Sequence, residues 1–128
     1  MDINFELKSE KGFEETLDSL AENLKAEGFG VLWSFDVGEK LREKGMVFDH
    51  RCRILEICNP EKAKAALDIN LDAAYFLPCK IVVFEREGAV YMGMIRPSLM
   101  MEMLGDQELL TTAHDVERHL KRAILESV

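Results

Sequence analysis

Hydrophobic and polar positions alternate, then recur at helical spacing, then alternate again along this chain. Ile3, Phe5 and Leu7 alternate with polar residues, which predicts a half-buried strand over residues 2–8. Phe13, Leu17, Leu20 and Leu24 then recur on one helical face, with Glu14, Glu15, Asp18 and Glu22 outward. The acidic first turn suits the positive end of the helix dipole, and Gly28 is placed as the C-terminal stop. Residues 29–37 read as the next strand, with Phe29, Val31, Trp33, Phe35 and Val37 on one face and Gly30, Leu32, Ser34 and Asp36 on the other. A short polar helix follows over residues 38–44 and ends at Gly45. Residues 51–58 are strand-like. Asn59-Pro60-Glu61 then marks a helix start, with Asn as N-cap, Pro at the first helical position and an acidic first turn. The packing face of that helix is Ala63, Ala66 and Leu67, small residues that suggest a close approach to the sheet.

Leu77-Pro78 leads into a run from Cys79 to Glu85 that turns at Glu87-Gly88 and returns from Ala89 to Ile95, the pattern of a β-hairpin. Pro97 ends it. Residues 98–105 form an apolar connection with no clear period, and a last helix over residues 107–126 places Ala113, Val116, Leu120 and Ile124 on one face. The order predicts an α+β domain: a mixed sheet with helices packed on it, in one unit spanning residues 1–128.

Composition narrows the function classes. Of 128 residues, 48% are hydrophobic and 31% charged, enough to bury a core without disulfides. The net charge of −8 repels phosphate backbones, and the densest basic stretch, Lys40 to Lys44, alternates with Glu39 and Glu43. Nucleic acid is therefore not an expected partner. No run approaches the ~20 apolar residues of a membrane span, so no membrane partner is expected. The N-terminal residues lack the charged-then-apolar pattern of a signal peptide, and the three cysteines, an odd number, fit free thiols in a reducing compartment. The expected location is the cytoplasm.

Five stretches, in order, resemble the domain-of-unknown-function 302 family: Phe13 to Phe29 with the Gly28-Phe29 stop; Asp36 with Leu41 and Gly45; Ile54-Leu55-Glu56-Ile57-Cys58-Asn59-Pro60 with Ala63; Leu77-Pro78-Cys79; and the hairpin with Gly88. Glu-Ile-Cys-Asn-Pro followed by Leu-Pro-Cys is the most specific of these. The resemblance implies a β-α-β4-α fold and a homodimer. It implies no reaction. The terminal helix lies outside the five stretches and rests on periodicity alone.

Cys58 and Cys79 each sit beside a proline at a strand edge, and neighbouring strands would bring the thiols together. Such a pair could bind a soft metal or cycle through a disulfide, or both thiols could be small buried hydrophobes. The spacings Cys52-x5-Cys58 and Cys58-x20-Cys79 lack the short paired spacing of a zinc site. Cys52 and Cys58, on one strand, lie roughly 20 Å apart. Glu56 shares their face, and Asp36 ends an apolar strand. Converging carboxylates could bind metal or act as an acid/base pair. Alternatively Asp36 caps the following helix, and Glu56 faces solvent or pairs with Arg53 or Lys80. His114 and His119, five residues apart, do not share a helix face, and His50 follows Asp49 in a loop. The methionines Met92, Met94, Met100, Met101 and Met103 suit core filling, or a deformable apolar wall.

Phosphate-binding glycine loops and a nucleophile elbow are absent from the sequence. The expectation is therefore a homodimer that holds a small ligand or metal near Asp36, Glu56, Cys58 and Cys79. Two other readings compete with it: a structural or interaction protein without a ligand site, and a thiol- or carboxylate-dependent enzyme. Cofactor and metal identity are not legible.

Overall fold

A computed structural model describes residues 2–128. The chain runs β1 (Asn4–Ser9), α1 (Phe13–Ala26), β2 (Gly30–Asp36), α2 (Val37–Glu43), β3 (Cys52–Cys58) and α3 (Pro60–Ile69). A 3-10 helix at Leu71–Phe76 follows, then β4 (Cys79–Arg86), β5 (Ala89–Ile95), α4 (Pro97–Glu102) and α5 (Gln107–Glu126). The β-α-β4-α order and the helix-on-sheet architecture stand as expected. The sheet is antiparallel throughout rather than mixed, in the order β1-β5-β4-β3-β2. The β-α-β opening makes no parallel pair because α1 carries the chain from one edge of the sheet to the other.

Local chemistry sets the element ends. Glu27 closes α1, and Gly28 beyond it takes φ +87°, the left-handed geometry that glycine adopts freely. Asp36, Asn59 and Asp106 each accept a hydrogen bond from the backbone N–H three residues on, capping α2, α3 and α5. Glu87 and Gly88 both have positive φ, as a two-residue hairpin turn requires. The apolar connection after Pro97 is itself helical. Its Met101 is buried, while Met103 is exposed.

One core lies between the sheet and the helices α1 and α5. Leu20 and Leu24 of α1, Ile57, Ile81, Val83 and Met92 of the sheet, and Leu120 and Ile124 of α5 are essentially inaccessible to solvent. Burial of each such side chain contributes about 1.5–3 kcal/mol. A smaller cluster joins α3, the 3-10 helix, α4 and the start of α5 through Ala66, Ala73, Met101, Leu109 and Ala113. The small residues of α3 thus serve mainly an approach to α5 rather than to the sheet.

The expected alternation along β2 is broken. Val31 pairs with Ile57 and Trp33 pairs with Glu56, so Leu32 is an inserted residue. The bulge turns Val31 to the helical side and Trp33 and Phe35 to the opposite side, where Phe35 pairs with Ile54. Trp33 and Phe35 stack at 5.0 Å. Asp36 keeps its expected place on the face opposite both rings, paired with Arg53.

Candidate functional site

Cys79 opens β4 opposite Ile57, and Cys58 is the residue that follows Ile57. This register brings the two thiols to one apolar cleft where the sheet meets α3, α4 and α5. Phe29, Ile57, Cys58 and Cys79 form the sheet side of the cleft. Ala63 and Ala66 come from α3, Met101 from α4, and Ala113 and Val116 from α5. Segments far apart in sequence meet here. A Cβ on Gly28 would stand 2.8 Å from the Asn59 side-chain nitrogen, so the stop of α1 and the cap of α3 approach at a point only glycine allows. The Asn59 side-chain Oδ1 accepts from the Lys62 backbone N–H at 3.1 Å.

The cleft encloses about 40 Å³. That is room for a few water-sized groups, well below the ~300–1,000 Å³ of a drug-sized ligand pocket. Lys62 is the one charged residue in its lining, and its ammonium is held by Asp115 of α5. That ion pair ties α3 to α5 beside the cleft. Asp115 also accepts from Arg118, and His119 Nδ1 meets Glu27 at 2.7 Å, linking α5 to the end of α1. The ion pair with Lys62 holds the Asp115 carboxyl below its usual range.

Burial pushes the Cys79 thiol up to about 11, and the neighbouring Cys58 adds to the rise. At neutral pH the Cys79 sulfur is therefore a protonated thiol, a poor nucleophile and a poor metal ligand. None of the three cysteines is bridged. Cys52 lies at the far end of β3, and its thiol is raised by burial and by the charge of Asp36.

The two carboxylates lie elsewhere. Glu56 is on the opposite face of the sheet, between Trp33 and Lys80 in the strand register. Asp36 is at the other end of the β2–β3 pair, which joins Gly30 to Cys58 at one end and Asp36 to Arg53 at the other. The Asp36 carboxylate accepts from the Glu39 N–H at 3.0 Å and meets Arg53 at 3.6 Å. It lines an open groove of about 600 Å³ with Glu39, Lys40, Glu43 and residues of the β2 edge strand. The structure thus brings Cys58 and Cys79 together and leaves Asp36 and Glu56 in two other places. Among the described residues no three His, Cys, Asp or Glu side chains gather as a metal-binding group.

One buried charge was not singled out from sequence. Glu117 of α5 is 6% exposed and accepts from both the N–H and the hydroxyl of Ser98, at 3.0 and 2.6 Å. Burial opposes its charge, but Ser98 and Lys121 outweigh that and hold the carboxyl below its usual value. The available signal was its position one helical turn from both Ala113 and Leu120, on a face otherwise apolar.

The comparisons with known proteins agree with this architecture. The family model described as domain of unknown function DUF302 matches residues 5–127. The chain belongs to the DUF302 family. The match takes in the terminal helix that periodicity alone had placed. An uncharacterized conserved DUF302 protein from Bacillus stearothermophilus, known from a crystal structure, is 41% identical over the whole of both chains, with a TM-score of 0.97. No curated protein matches the chain. No helix among the described residues is long and apolar enough to cross a membrane.

Proposed function

We propose that this DUF302 domain is a cytoplasmic binding module whose ligand inserts an apolar group into the cleft beside Cys58 and Cys79. The observation that carries the reading is the character of the cleft. Its walls come from the sheet and three helices, and they are almost wholly apolar. Lys62, its one charged lining residue, is neutralised by Asp115. A preformed apolar cleft favours an apolar guest, because it offers dispersion contacts and little polar surface to desolvate. The volume suits the end of an alkyl chain or a group of a few heavy atoms.

The thiols act in this reading as polarisable wall atoms. A protonated, desolvated Cys79 argues against soft-metal ligation and against nucleophilic catalysis, both of which need the thiolate. The three unbridged cysteines fit a reducing compartment.

The test is NMR of side-chain methyl groups under xenon pressure and with 1-butanol. Saturable shifts confined to Ala63, Met101, Ala113 and Val116, abolished in Ala63→Leu, are expected. Shifts that are absent, or that scatter over the surface without saturating, would sink the reading.

A further inference from the structure

The β4–β5 hairpin is zipped at its turn and parted at its open end. β4 begins at Cys79 and β5 runs to Ile95, but the two strands pair only from Arg86–Ala89 to Val82–Gly93. Beyond that point each strand keeps only its other neighbour: β4 stays on β3 through Lys80 and Cys79, and β5 stays on β1 through Met94 and Ile95. A second cavity, of about 180 Å³, lies at this fork. Cys79 and Lys80 line one lip, Met94 and Ile95 the other, with Leu120 of α5 beside them. Lys80 and Ile95 are exposed, whereas Met94 and Leu120 are buried on the helical side. A cavity lined from both sides of a sheet needs strands that part, and the register supplies the parting.

Cys79 and Pro97 line both this cavity and the apolar cleft, so the two spaces adjoin. Helix α4 serves both, with Met100 at the fork and Met101 in the cleft. We propose that fork and cleft are two halves of one site for a medium-chain alkyl carboxylate. The carboxylate sits at the mouth of the fork by Lys80, the chain passes Cys79 and Pro97, and its end lies in the cleft. This assignment rests on the apolar-cleft reading and extends it by naming the class of ligand.

Charge and size select that class. Lys80 is the one charged residue lining the fork. Glu56 stands opposite it in the register, yet among the described residues no carboxylate is within ion-pair reach of the Lys80 ammonium. Arg96 lies between the lining residues Ile95 and Pro97. It too has no carboxylate partner among the described residues, and its Nε is buried without a hydrogen bond. In a chain of net charge −8, two cations left unpaired at one opening favour an anionic group there. The rest of the lining is apolar and favours hydrocarbon behind that group. Burial keeps the Cys79 thiol neutral, so no charge stands in the path of the chain. At ~30 Å³ for a water-sized group the fork holds about six of them, and the cleft adds room for the end of a chain of about eight carbons.

The probes are octanoate, its neutral counterpart 1-octanol, and xenon, followed by NMR of side-chain methyl groups at neutral pH. Octanoate is expected to shift the Met94 and Met100 methyls together with those of Met101 and Val116, and to do so saturably. It is expected to bind about tenfold more tightly than 1-octanol, the margin of a charge-assisted hydrogen bond. Lys80→Met is expected to erase that margin and leave the affinity for 1-octanol as it was. From butyrate to octanoate the affinity should rise about fourfold per methylene. Octanoate that moves the cleft methyls alone, that binds no better than 1-octanol, or that keeps its margin in Lys80→Met would overturn the proposal, as would an affinity indifferent to chain length. If the variant fails to fold, the comparison of octanoate with 1-octanol on unmodified protein decides. Xenon separates the two readings: a cleft that takes xenon while octanoate does not bind loses only this proposal, whereas a cleft that takes neither loses both.

Discussion

Neighbouring residues of β3 occupy two different environments. Ile57 points into the helical layer and is wholly inaccessible to solvent, whereas Ile54, three residues earlier, points outward and is only half-buried. The strand is apolar on both sides, but only one side is finished by this chain. An antiparallel sheet can leave one face to water, and then that face is usually polar. Here the outer face carries Phe35, Ile54, Val82, Phe84 and Tyr91 alongside its charges. The inner face is the one that α1 and α5 close.

The largest expected effect separates the two faces directly. Ile57→Ala removes buried methyl groups from a packed core and is expected to cost about 2–5 kcal/mol in chemical denaturation. Ile54→Ala is expected to cost about 1 kcal/mol or less, because its side chain stays partly wet. Equal costs would mean that the outer face is as fully closed as the inner one.

The next effect is smaller and concerns the thiols. The Cys79 thiol, pushed by burial up to about 11 from an ordinary 9.0, is favoured in its neutral form by the fold. Its contribution is therefore complete below about pH 9 and is lost as pH rises toward about 11. In that window wild type should lose its advantage over Cys79→Ala at roughly 1.4 kcal/mol per pH unit. The same shift lowers the thiolate fraction at pH 8 about a hundredfold relative to an ordinary thiol. Iodoacetamide at pH 8 should thus modify Cys52, on the outer side of β3, well ahead of Cys79. A Cys79 that reacts first would reopen the redox and metal readings of the pair.

Local structure was legible wherever it rests on residues close in sequence. Gly28 as the stop of α1, Asn59-Pro60 as the start of α3 and the Glu87-Gly88 turn are all where local chemistry puts them. The sequence placed Cys58 and Cys79 near prolines at strand ends and made their meeting conditional on neighbouring strands, a pairing of β3 with β4 that only the register supplies. The bulge at Leu32 was not legible, since a period-two pattern reads the same with or without an inserted residue until a partner strand fixes the register. The 3-10 helix at Leu71–Phe76 and α4 are too short to show a period. The grouping of Asp36 and Glu56 with the thiols depended on which ends and faces coincide. β2 and β3 run antiparallel, so Asp36 meets the start of β3 while Cys58 is its end.

The smallest expected effect decides what Asp36 does. Its carboxylate has two partners, the Glu39 N–H at 3.0 Å and the Arg53 guanidinium at 3.6 Å. Asparagine caps a helix about as well as aspartate but carries no charge, so the two partners can be separated. If capping of α2 is the whole role, Asp36→Ala should cost about 1 kcal/mol and Asp36→Asn only a few tenths. The ion pair is part-exposed and adds little by itself. Added salt should leave the gap between the two variants unchanged, since a neutral cap is not screened. Should Asp36→Asn instead cost as much as Asp36→Ala, and should that cost fade with salt, the charge beside Arg53 is the operative feature. The open groove lined by Asp36, Glu39, Glu43 and Trp33 would then be a second place to look for a ligand, at the opposite end of β2 from the cleft.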